Sequence, residues 1–141
     1  GQNCAGLNLF LAEIRAFLDA HEGRSTLVPF VGELRRLVDE WQTATLEISL
    51  RAKSDAEELG AAAVDYLFYS GYITLAYFWV RSIEAATRES FAGTSRFRDE
   101  KLALARFYFD RILPRTQQHL ATIRAGAASL MQAPDSLFEA A

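Results

Sequence analysis

The sequence predicts an all-α fold, an up-down-up-down four-helix bundle. Three observations lead there: four stretches in which apolar residues recur every three or four positions, short breaks between them, and no convincing strand alternation. The first stretch puts Leu7, Phe10, Leu11, Ile14, Phe17, Leu18 and His21 on one stripe and stops at Gly23. The second carries Leu27, Phe30, Val31, Leu34, Leu37, Val38, Trp41, Ala44 and Ile48, with Ser25 or Thr26 as N-cap. Pro29 is tolerated in its first turn, where the missing N–H has no intrahelical partner to lose. A reversal at Gly23 makes these helices antiparallel, so that Leu7 faces Trp41, Leu11 faces Leu37, Ile14 faces Leu34 and Phe17 faces Val31.

Ser54 or Asp55 can cap a third helix, and Glu57 and Glu58 favour the positive end of its dipole. It is expected to run to about Phe91. Gly93 to Ser95 form the next break. Asp99 and Glu100 open a fourth stretch with Leu102, Phe109, Leu113, Leu120, Ile123, Ala127 and Leu130 on one side. Pro114 removes a hydrogen bond to the carbonyl four residues earlier, so this helix is expected to kink between Asp110 and Pro114. Folding back at Gly93 brings Tyr77 near Phe109, Ile73 near Leu113 and Asp65 near Arg124. The two later helices should be long, the two earlier ones shorter, and the tail from Ala133 to Ala141, opened by Pro134, loose.

The 141 residues suit one domain, residues 1–141, with a sizeable core. Half are hydrophobic and 23% are charged, a globular composition. A net charge of -3 gives no clustered basic face for nucleic acid. Cys4 is the only cysteine, which rules out an internal disulfide and fits a cytoplasmic setting. No secretory leader pattern opens the chain, and Gly1 without a preceding methionine reads as a processed start. The most apolar run, Tyr66 to Val80, is interrupted by Ser70, Gly71 and Thr74 and is shorter than the roughly 20 residues of a bilayer span. No membrane span is expected.

That run is apolar on nearly every face, so more than one side of the third helix must be covered. Tyr66, Tyr69, Tyr72, Tyr77, Phe78 and Trp79 supply more large surface than one seam needs, as core or as an interface to a protein partner. Asp65 enters the same helix and needs a partner, for which Arg124, or another cation of the fourth helix, is the candidate. An interhelical pair is a simpler role for Asp65 than general-base catalysis.

Self-contained chemistry is not evident. Di-iron bundles place glutamate three residues before histidine, whereas Leu18 and Thr116 precede His21 and His119 at that spacing, so no metal site is expected. No Gly-rich phosphate loop follows a strand. His119 reads either as an interhelical histidine or as a phosphotransfer residue. His21 suits the C-terminal end of its helix, and Cys4 a small hydrophobe rather than a reactive thiol.

Several segments together carry a resemblance. Gly60-Ala61-Ala62-Ala63-Val64-Asp65-Tyr66-Leu67, then Gly71, Ala76-Tyr77 and Trp79, resemble the third helix of the C-terminal domain of bacterial acyl-CoA dehydrogenases. Lys101-Leu102-Ala103, Ala105-Arg106-Phe107-Tyr108, Arg111-Ile112-Leu113-Pro114 and Ile123-Arg124-Ala125-Gly126-Ala127 are similar to its fourth, while the first two helices match in pattern alone. The resemblance implies that the chain is the C-terminal part of a longer flavoenzyme that oxidises an acyl-CoA to the 2,3-enoyl-CoA. In that family a glutamate removes the alpha proton and FAD accepts hydride. The flavin-binding sheet and that glutamate precede this region, so no catalytic residue is carried over, neither to Glu57 nor to Glu58 or Glu84. The implied role is structural: packing on the dehydrogenase core, shaping its substrate side, or joining subunits of a homo-oligomer, with no cofactor held by this chain. The alternative is a stand-alone bundle that holds an apolar ligand between its third and fourth helices or binds a protein partner.

Overall fold

A computed structural model of the chain describes residues 2–139, with the side chains of residues 2, 3 and 138 aside. The described residues contain helices and no strand. The helices are α1 (Gln2–Ala20), α2 (Val28–Ser54), α3 (Ala56–Thr87), α4 (Ser95–Phe107), α5 (Arg115–Ala125) and the single turn α6 (Ala128–Met131). A π-helical segment, Tyr108–Ile112, joins α4 to α5, and a 3-10 turn spans Asp135–Phe138. The expected start at Gly1 and the last two residues of the expected loose tail lie outside the described residues.

α1 and α2 run antiparallel, because partners on one rise in number as those on the other fall: Cys4 meets Ser49, Arg15 meets Asp39, and Asp19 meets Arg35. Their register is about a turn and a half away from one set by reversal at Gly23. The connection extends from His21 to Leu27, and Gly23 supplies only one of its turns, at φ 83°. Neither Ser25 nor Thr26 caps α2. Leu27 occupies that position without a side-chain bond, while the Thr26 hydroxyl lies 3.1 Å from that of Thr87 in α3. A tertiary contact has taken the hydroxyl that a local cap would use.

α3 starts where the sequence places it. The Asp55 carboxylate accepts from the Glu57 N–H at 2.9 Å, and Glu57 and Glu58 occupy the first turn. We expect Asp55→Ala to lower the unfolding free energy by about 1 kcal/mol, the usual cost of losing an N-cap, measurable by urea titration. α3 ends at Thr87, a turn short of Phe91. Thr94 then caps α4, accepting from the Phe97 N–H at 3.1 Å.

At Pro114 the ladder reorganises. Proline has no N–H, and its ring would clash with the carbonyl four residues back if a regular α-helix continued through it. The chain answers by widening: the Leu113 N–H donates to the Tyr108 carbonyl at 2.8 Å, a π turn, and Leu113–Pro114 turn into α5. α5 closes at Gly126, whose φ of 74° and ψ of -170° are a glycine conformation.

The core lies around α3, which packs on α2, α4 and α5. Leu11, Ile14, Leu34, Leu37, Ile73, Ile83, Leu113 and Ile123 are buried within it. Leu102 only packs at its edge, and Leu130 is exposed, so the expected fourth-helix stripe ends near Ala127.

Candidate interaction surface

Helix α3 is the hub, and each of its inner sides meets a different neighbour. Toward α2, the Tyr66 hydroxyl accepts from Trp41 Nε1 at 3.2 Å and lies 2.7 Å from Thr45 Oγ1. Since Thr45 donates its own proton to the Trp41 carbonyl, Tyr66 is the donor to Thr45. One turn on, the Tyr69 side chain is wholly enclosed and donates to Glu40 Oε1 at 2.8 Å. Burial and the adjacent Glu40 carboxylate both push the Tyr69 phenol's pKa up. Burial also acts to raise the Glu40 pKa, but hydrogen bonds from Tyr69, Gln117 and Arg36 outweigh it and hold the carboxyl below its ordinary range.

Toward α5, Asp65 bonds His119. Asp65 Oδ1 lies 2.8 Å from His119 Nδ1, and the imidazole stacks on Phe68 and Tyr72 at 5.3 and 5.8 Å. The expected pair of Asp65 with Arg124 does not form; Arg124 instead grips Glu47 of α2 through two nitrogens, at 3.1 and 3.3 Å. Five residues separate His119 from Arg124, which on a helix is a rotation of about 140°. When one faces α3, the other cannot. His119 therefore spends Nδ1 on a neighbouring helix, the interhelical role.

The six aromatic residues divide. Tyr69 and Tyr77 are core, Tyr77 making edge contacts with Phe10 and Phe17 at 5.8 and 5.7 Å. Tyr66, Tyr72 and Trp79 are partly buried seam residues, Trp79 lying against Tyr108 and beneath Lys101. Phe78 alone of the six is half exposed, at 48%.

The open face is built mostly by residues that the aromatic count passes over. Val64, Leu67, Phe68, Leu75 and Phe78 are between 48% and 69% exposed and follow the three- and four-residue spacing of one helix face. Gly60, Gly71 and Ser82 lie on the same stripe, so it runs without an ionisable residue over six turns. Leu104 of α4, 52% exposed, lies on the helix face of Lys101 and Tyr108 that borders α3. Scattered exposed leucines are ordinary on any protein surface, but a contiguous uncharged stripe is the mark of a contact site. Its signal in the sequence is an α3 that lacks a polar back.

At the other end of α3, Glu84 is a buried carboxylate ringed by Arg88, Arg24 and His21, the latter two at 3.5 and 3.6 Å. This ties the α1–α2 connection to the end of α3. His21 thus contacts a tertiary cluster as well as lying at the end of its helix. Among the described residues no three His, Cys, Asp or Glu side chains converge as a metal cage. An apolar cleft of about 240 Å³ lined by Ile48, Leu59, Ala62 and Tyr66 lies by α1, α2 and α3, and a shallow one of about 230 Å³ lined by Leu75, Phe78, Trp79 and Lys101 lies between α3 and α4. Both are smaller than the roughly 300 Å³ at which ligand pockets usually begin. Among the described residues no helix is long and apolar enough to cross a membrane.

The described residues form a helical bundle whose central helix leaves one uncharged apolar stripe open. The family model described as acetyl-CoA dehydrogenase C-terminal like matches residues 10–134, and the chain belongs to that family. Neither the comparison with curated proteins nor that with solved structures found a match.

Proposed function

We propose that the chain is the C-terminal structural and interaction domain of an FAD-dependent acyl-CoA dehydrogenase, a cytoplasmic enzyme of fatty acid metabolism that converts an acyl-CoA to the 2,3-enoyl-CoA. The helices run up-down-up-down, with the fourth stretch bent at its π turn. The reading rests on the uncharged outer stripe of α3 in a domain of this family, a surface suited to a protein contact and not to bond-breaking chemistry.

In this reading FAD and the catalytic base belong to the dehydrogenase core of the parent chain, and this domain's work is to pack against that core or to join subunits. The start of α3, with its Asp55 cap and Glu57 and Glu58 in the first turn, is unsuited to a phosphate.

Mixed with FAD and an acyl-CoA, the 141-residue chain should give neither a bound-flavin spectrum nor enoyl-CoA product; turnover would overturn the proposal. The open reading frame supplies a second check, since it should encode a flavin-binding core ahead of residue 1.

A further inference from the structure

We propose that Nε2 of His119 is a phosphoryl-acceptor site, with Asp65 fixing the imidazole and Arg115 receiving the phosphate. The proposal stands on this group of residues and not on the dehydrogenase reading.

The two ring nitrogens of His119 have different surroundings. Nδ1 lies 2.8 Å from Asp65 Oδ1, and because an ionised carboxylate only accepts, Nδ1 carries the hydrogen. In the neutral ring the lone pair then sits on Nε2. Asp65 is the ring's one hydrogen-bond partner among the described residues, and it takes Nδ1, so Nε2 bonds nothing. Nor is Nε2 enclosed: in the partly buried and buried residues, the enclosed side-chain polar atom left without a partner is Ser70 Oγ. Nε2 therefore opens to water. The ring is held in place by Asp65 and by Phe68 and Tyr72, which stack on it at 5.3 and 5.8 Å. A nucleophile fixed by its neighbours and open at one atom needs little reorganisation to attack.

The other histidine supplies the contrast. His21 Nε2 lies 3.6 Å from a Glu84 oxygen, and Phe17 packs on its ring at 4.5 Å. Its outer nitrogen thus faces a carboxylate, which repels an anionic donor. His119 has a cation instead. Arg115 lies one turn earlier on the same face of α5, about 5–6 Å away between Cβ atoms, and it joins no ion pair among the described residues. Helical side chains lean toward the N-terminus of their helix, which inclines His119 toward Arg115. The guanidinium fork matches the oxygens of a phosphoryl group.

The transfer balances with the groups present and a donor of the phosphoramidate class. The Nε2 lone pair forms the new P–N bond, the donor's own P–N bond breaks, and its electron pair leaves with ammonia. The hydrogen on Nδ1 stays where it is. The ring takes up a positive charge, which the Asp65 carboxylate beside it stabilises, as an oriented carboxylate does for any imidazolium. Asp65 is a positioning residue here, and His119 the one that reacts.

Incubation of the 141-residue chain with phosphoramidate, read by phosphorus NMR and peptide mapping, tests the site. The product should be an acid-labile phosphohistidine on Nε2 of His119, formed at least about tenfold faster than any at His21, and His119→Gln should abolish it. Arg115→Gln and Asp65→Asn should each slow labelling about tenfold, the worth of a charge-assisted hydrogen bond, with helical circular dichroism unchanged. Arg106→Gln, which removes an equal charge over Phe30, should leave the rate as it is. Label on Nδ1, equal labelling of the two histidines, or a rate unmoved by both Arg115→Gln and Asp65→Asn overturns the site. None of these results touches the flavin assay, which tests the domain reading by itself.

Discussion

Ile73→Ala is expected to lower the unfolding free energy by about 3 kcal/mol, while Leu75→Ala, two residues along the same helix, changes that of the dissociated protomer by less than about 0.5 kcal/mol. Ile73 is fully enclosed where α3 meets its neighbours, and Leu75 is 52% exposed. Truncating Ile73 removes buried methylene groups and leaves a void that rigid helices refill only in part. Truncating Leu75 mainly trims a side chain already in water. Urea titration at a concentration low enough to separate any dimer isolates the two effects, since association otherwise adds to apparent stability. Similar losses at both positions would mean that the outer stripe is covered within the protomer.

Glu40→Ala is expected to cost about 2 kcal/mol at neutral pH, because it strands the enclosed Tyr69 hydroxyl without its acceptor and frees Gln117 and Arg36. The pH dependence has a definite sign. The folded-state pKa of Glu40 lies below its ordinary value of 4.5, so the carboxylate's contribution is complete above that value and is lost as pH falls through the folded pKa. Wild type should therefore shed stability in acid more steeply than Glu40→Ala, the two curves converging at low pH. Tyr69→Phe made on top of Glu40→Ala should recover part of the loss, since it removes the stranded donor. Additive costs in the double variant, or parallel acid curves, would show that the Tyr69–Glu40 bond contributes nothing.

Both predictions draw on features of differing legibility. The helices, the breaks at Gly23 and Gly93, and the cap of α3 are local properties. Capping by Asp55 needs only a carboxylate one residue before the helix and a free N–H just inside it. The missing polar back of α3 was equally legible, as a pattern in one dimension. Which of its apolar residues would stay open was not. Tyr69 and Phe78 look alike as aromatic members of one run, yet one is enclosed and the other half exposed, because α2 covers the first and no described helix fully covers the second.

What the chain by itself determined, then, is its helices, their approximate ends, and an excess of apolar surface on α3, since periodicity and capping act over one or two turns. Partnership was decided in three dimensions. Asp65 joins His119 and not Arg124, and the Thr26 hydroxyl reaches Thr87 instead of capping α2. Each choice depends on the rotation and register of two helices to within a fraction of a turn. A rotation of about 140° between His119 and Arg124 exchanges one neighbouring helix for another. Small angular differences of that kind accumulate through a seven-residue connection and a proline-induced π turn, and they are settled only when the core packs.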